Sequence, residues 1–124
     1  MTRYALLLIA LAVPAFAAGP EGEAKLAKLV QGRTAGEPQS CIPLERNAQS
    51  HTIEKIGMVY EVGATRYVTR FEGGCDQLTP FTAIVTRTPT TQLCAGDIAQ
   101  LVTTTTPVIN VGSCTFGKFT PYTR

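Results

Sequence analysis

The chain holds a single histidine, His51, so any hydrolytic chemistry that relies on an imidazole base has to use it. Ser50 precedes it, but neighbours on an extended strand point to opposite faces, and this serine and histidine cannot form a nucleophile–base pair. A triad would need a distant serine with Asp76 or Asp97 as the orienting acid, and no Gly-x-Ser-x-Gly segment singles one out. Acid–base work by two carboxylates could draw on Glu45, Glu54, Glu61, Glu72, Asp76 and Asp97. Most of these stand next to Arg or Lys, as in Glu45-Arg46 and Glu54-Lys55, which is the pattern of a solvated face. Asp97 differs, because Leu93-Cys94-Ala95-Gly96-Asp97-Ile98 surrounds it with small and apolar residues. That setting favours a turn residue accepting backbone N–H groups over a site acid.

Gly112-Ser113-Cys114-Thr115-Phe116-Gly117-Lys118 echoes a phosphate loop but is not one, because Phe119 stands where the Ser or Thr must follow the lysine, and a cysteine expected in a disulfide sits inside it. Cys41, Cys75, Cys94 and Cys114 are the four cysteines. No two are close in sequence and only one histidine accompanies them, so a metal site is disfavoured and two disulfides are expected. Four cysteines allow three pairings, which sequence does not separate. Closing the longest loop argues for Cys41 with Cys114 and Cys75 with Cys94.

The cysteines belong to an exported chain. Arg3 supplies a positive start, and Tyr4-Ala5-Leu6-Leu7-Leu8-Ile9-Ala10-Leu11-Ala12-Val13 an apolar run closed by Pro14, with small residues in Ala15-Phe16-Ala17. These are the parts of a signal peptide over 1–18, cleaved after Ala17 or Ala18. The run is shorter than the roughly 18 apolar residues of a membrane span. Loss of Arg3 leaves ten basic against nine acidic residues, too weak a balance to capture nucleic acid or anionic lipid.

Residues 19–40 are expected as a short helix and a connector. In Pro20-Glu21-Gly22-Glu23-Ala24-Lys25-Leu26-Ala27-Lys28-Leu29-Val30-Gln31-Gly32 the acids come first and the lysines later. Leu26, Leu29 and Val30 make one apolar stripe, and Gly32 is placed to cap the C-terminus. The stripe suits packing on a domain better than a membrane surface. Residues 41–124 are expected as one β domain, with candidate strands over 42–46, 51–56, 58–62, 66–71, 81–88, 92–102 and 114–120. Val62-Gly63-Ala64-Thr65-Arg66 is the clearest hairpin turn and Thr88-Pro89-Thr90-Thr91 a second. Thr103-Thr104-Thr105-Thr106-Pro107 reads as strand ended by a proline. Phe116, Phe119 and Tyr122 read as a last strand closing the core. The fold class that follows is mainly β: a small antiparallel barrel or sandwich stapled by disulfides, with a short N-terminal helix.

Four Cys-centred segments also resemble a known family. They are Gly32-Arg33-Thr34-Ala35-Gly36-Glu37-Pro38-Gln39-Ser40-Cys41-Ile42, Gly74-Cys75-Asp76-Gln77-Leu78, Leu93-Cys94-Ala95-Gly96-Asp97-Ile98 and Ser113-Cys114-Thr115-Phe116-Gly117-Lys118-Phe119. Together they resemble a bacterial domain-of-unknown-function family of short exported proteins, over about Leu29 to Tyr122. The resemblance implies a Gram-negative periplasmic setting and paired cysteines, and it carries over no catalytic residue.

The expected function is that of a periplasmic or secreted, non-enzymatic binding or envelope-associated module with no cofactor. Its partner is a protein or a component of the cell envelope, not nucleic acid, and the mature part has no stable membrane span. An inhibitor of an external hydrolase such as lysozyme is the alternative, although the Ser-Gly-x-x-Tyr loop of one such inhibitor type is missing. A small hydrolase using His51 or Asp97 is the competing class.

Overall fold

In the computed structural model, residues 20–45, 48–86 and 91–124 are described; the expected signal peptide and the turn over 88–91 fall wholly or mostly outside them. The chain runs α1 (Pro20–Leu29), β1 (Thr34–Ala35), β2 (Cys41–Pro43), β3 (Gln49–Ile53), β4 (Lys55–Val62), β5 (Thr65–Cys75), β6 (Thr82–Thr86), β7 (Gln92–Cys94), β8 (Ile98–Thr103) and β9 (Asn110–Thr123). The fold is mainly β, with one short helix among the described residues, as the strand-rich pattern implies.

The main sheet is antiparallel, in the order β3-β4-β5-β9-β8-β6, and curls into a half-barrel. β9 is its spine. One edge of β9 carries β5, from Arg66 against Tyr122 to Phe71 against Phe116. The other edge carries β8, then the Gln39–Phe119 bridge and β1. Residues 33–40 are therefore more than a connector, because they extend the sheet along β9.

A two-stranded ribbon of β2 and β7 fills the concave side. Its Ile42 and Leu93 are buried with Met58, Tyr60, Phe71, Leu101, Phe116 and Phe119 in the larger core. Helix α1 covers part of the convex side, where Leu26 packs with Ile53, Ile56, Val59 and Val68. Side chains alternate along a strand, so β4 sends Met58 and Tyr60 to the ribbon and Val59 to the helix. Burial on both faces explains why Ile56-Gly57-Met58-Val59-Tyr60 lacks the polar alternation of a half-exposed strand.

Two glycines let the backbones close up at irregular register. Gly57 lies at the β4 irregularity, and a Cβ there would come within 1.9 Å of the Thr69 carbonyl oxygen. At the β5–β9 shift, Arg70 opposes both Gly117 and Lys118, and a Cβ on Gly117 would meet the Arg70 carbonyl. The extra residue returns Phe119 to the face that Phe116 occupies, three positions earlier. This is why the aromatics of the last strand alternate imperfectly yet Phe116 and Phe119 are both fully buried.

Several expectations need correction. The single strand expected over 92–102 is two strands, because the chain turns at Ala95 and Gly96 and crosses from the ribbon to the main sheet. The threonine run leaves the ladder after Thr103, and Thr104 to Pro107 form a bend. The expected strand over 42–46 ends at Pro43.

The disulfides join Cys41 to Cys94 and Cys75 to Cys114, not the pairing favoured by loop closure. Cys41 and Cys94 are direct register partners in the β2–β7 ribbon, with Cα atoms 4.0 Å apart. Entropy would not have separated the choices. Loops of 53 and 39 residues restrict the unfolded chain by about 8 kcal/mol together on the loop-closure formula, and the alternative loops by nearly the same amount. Strand register decided the matter.

Candidate binding surface

The residues with chemical potential are dispersed. His51 lies in β3, at one end of the sheet order, and Asp97 immediately before β8, next to the other end. Asp97 closes the β7–β8 turn: its Oδ2 accepts the Cys94 N–H at 2.8 Å, and its N–H donates to the Cys94 carbonyl at 3.1 Å. This is the turn role that its small, apolar neighbours suggest. Asp76, Glu72, Glu54 and Glu45 are exposed. The run Gly112 to Lys118 lies inside β9 and is strand, so it forms no phosphate-cradling loop.

Glu61 departs from the solvated pattern expected of the acids. The two-residue turn Gly63-Ala64 makes Glu61 and Arg66 direct cross-strand partners. Arg66 Nη2 lies 2.5 Å from Glu61 Oε1, and His51 Nε2 lies 3.4 Å from Glu61 Oε2. Arg66 Nη1 also donates to the Leu29 carbonyl at the C-terminus of α1. The row thus ties the helix end to the β4–β5 hairpin. Arg33 adds a bond from Nη1 to the Ala64 carbonyl at 2.9 Å. The Glu61–Arg66 pair was readable from the hairpin spacing once its register was known.

The first half of α1 is fastened in a similar way. Arg70 meets Glu23 in a two-pronged pair, at 2.8 and 3.1 Å. The hydrogen bond from Arg70 holds the Glu23 carboxyl below the usual carboxylate range, against a smaller opposing effect of burial. Lys25 Nζ donates to the Thr52 carbonyl of β3 at 2.8 Å. These polar contacts hold α1 over the β3–β4–β5 part of the convex face.

The β8–β6 end of that face has no such cover among the described residues. Register places Ala83 opposite Val102 and Val85 opposite Gln100, so these side chains share the outer face with Ile98. Thr104 N–H donates to the Phe81 carbonyl and Thr103 N–H to the Ile109 carbonyl, which draws Phe81, Val108 and Ile109 to one end of it. Phe81 is 71% exposed, Val85 40%, Ile98 51%, Val108 68% and Ile109 53%. These are the exposed large hydrophobic side chains of the described residues, and all belong to this end of the sheet. A shallow depression of about 250 Å³, lined by Val85, Gly96, Asp97, Ile98 and Gln100, lies within it. Several exposed large apolar side chains gathered on one part of a small domain are a candidate interaction site. The sequence alone does not reveal this surface, because Phe81, Val85 and Ile98 read as strand residues and the strand pattern does not tell which face stays bare.

Among the described residues no three His, Cys, Asp or Glu side chains gather as a metal site, and no helix is long and apolar enough to cross a membrane. In comparisons with known proteins, no family model matches the chain, and neither a curated protein nor a solved structure matches it.

Proposed function

We propose that this chain is an exported, non-enzymatic binding module of the periplasm or cell exterior, and that it recognises a protein or envelope partner through the bare β8–β6 end of its convex face. The observation that carries the reading is the collection of Phe81, Val85, Ile98, Val108 and Ile109 on that end, while α1 buries the rest of the same face. Two disulfides and the signal-like start support an oxidising, exported setting. The four Cys-centred segments that resemble short exported proteins support it further. The hydrolase reading has less support, since His51 and Asp97 stand near opposite ends of the sheet order and Asp97 serves a turn.

The test is capture from cross-linked envelope extracts with the mature protein as bait. The same partner should be retained by wild type and by Lys25→Ala on the helix side, and lost by Phe81→Ser/Ile98→Lys with its fold intact by circular dichroism. Equal retention by the patch variant would remove this surface from the proposal. Inhibition of a lysozyme by wild type but not by the patch variant would identify the partner class as an external hydrolase.

A further inference from the structure

We infer that β6 is a self-pairing edge, through which two copies of the mature chain join antiparallel about a two-fold axis at Ile84. The inference goes beyond the binding reading and does not depend on the identity of any other partner. β6 is the terminal strand of the sheet and pairs only with β8 among the described residues. Edge strands are usually blunted by charge, proline or a covering element. Thr82-Ala83-Ile84-Val85-Thr86 has neither charge nor proline. The opposite edge shows the contrast, because Lys25 of α1 reaches the Thr52 carbonyl of β3.

The hydrogen-bond directions define the register. The Phe81 carbonyl accepts from Thr104, on the β8 side, at 2.9 Å. Backbone groups of successive strand residues alternate in direction, so Ala83 and Val85 face β8 while Thr82, Ile84 and Thr86 face outward. The Thr82 N–H is already taken by the Thr79 carbonyl at 3.2 Å. The outward groups of Ile84 and Thr86 and the Thr82 carbonyl are those a second strand would meet.

The sequence of β6 is nearly symmetric about Ile84. Antiparallel pairing of two copies therefore sets Ile84 against Ile84, Thr82 against Thr86 and Ala83 against Val85. It forms about four backbone bonds, two from the Ile84 pair and one from each Thr86 N–H to the facing Thr82 carbonyl. A two-fold contact sets the same patch of both copies against itself, so it requires a surface that does not repel itself. The uncharged β6 and its outer neighbours Ile98, Gln100 and Val102 meet that requirement. The paired sheets would place the two bare convex ends side by side.

The experiment is sedimentation equilibrium of the oxidised mature protein from micromolar to millimolar concentration. A reversible monomer–dimer equilibrium is expected. Thr86→Pro deletes only an outward N–H and should weaken the dimer by about tenfold or more. Val85→Lys sets like charges on a cross-strand diagonal and should weaken it similarly, providing a second variant if the proline disturbs the fold. Isotope-filtered NMR should connect Ala83 of one copy to Val85 of the other. A chain that stays monomeric at millimolar concentration overturns the inference. So does a dimer that survives both substitutions, or one that pairs in a different register. Loss of the dimer with capture of another partner intact would leave the binding reading standing, and the converse would separate the two the other way.

Discussion

Between pH 10 and about 12 the protein should lose stability through one side chain, Tyr60. Its ring sits in the larger core between β4 and β9, with centroids 6.5 Å from Phe116 and 6.4 Å from Phe119. Burial disfavours the phenolate and pushes the hydroxyl from 10.0 up to about 12. In the unfolded chain the phenol ionises near pH 10 while in the folded chain it stays neutral, so unfolding releases a proton in this window. The contribution of Tyr60 is thus intact below pH 10 and is lost as pH rises toward 12. At about 1.36 kcal/mol per pKa unit, a rise of about two units amounts to about 2.7 kcal/mol. The assay compares urea unfolding of wild type and Tyr60→Phe from about pH 8 to about pH 12. Other titrating groups affect both proteins alike and cancel in the difference. That difference should stay flat below pH 10, then shift in favour of phenylalanine by slightly over 1 kcal/mol per pH unit. Parallel stability curves across the whole range would refute the reasoning, because they would mean that the Tyr60 hydroxyl ionises as freely in the fold as outside it.

Peptide mapping of the oxidised protein without reduction should return Cys41–Cys94 and Cys75–Cys114 with no free thiol, and replacing the first pair by serines should cost about 4 kcal/mol by loop closure over 53 residues. Gly57→Ala should destabilise by about 2 kcal/mol or more in thermal or urea unfolding, since the new methyl would meet a backbone oxygen rather than a side chain able to move. Asp97→Ala removes the acceptor for the Cys94 N–H and should cost about 1 kcal/mol in urea unfolding.

Local patterns anticipated much of the fold. The apolar stripe of α1 is where the spacing puts it, with Leu26 buried, whereas the helix ends at Leu29 and Gly32 takes φ +74° three residues beyond it. The Gly63-Ala64 hairpin is also as read, with Val62 opposite Thr65. These features rest on interactions among near neighbours, which sequence spacing encodes directly. The candidate surface was not legible in the same way. Val85 and Ile98 have the same residue types as buried strand positions, and only the placement of α1 over β3, β4 and β5 leaves them uncovered.

By itself, then, the sequence determined the strand-rich class, the single short helix, the clearest hairpin and the turn role of Asp97, because each depends on a few adjacent residues and their backbone preferences. The tertiary structure alone decided three things: the disulfide pairing, the junction of His51, Glu61 and Arg66 with the end of α1, and the apolar end of the sheet left bare. Each depends on which distant strands become neighbours. Loop-closure entropy varies only with the logarithm of length and hardly distinguishes the alternatives, whereas strand register separates them by whole residues.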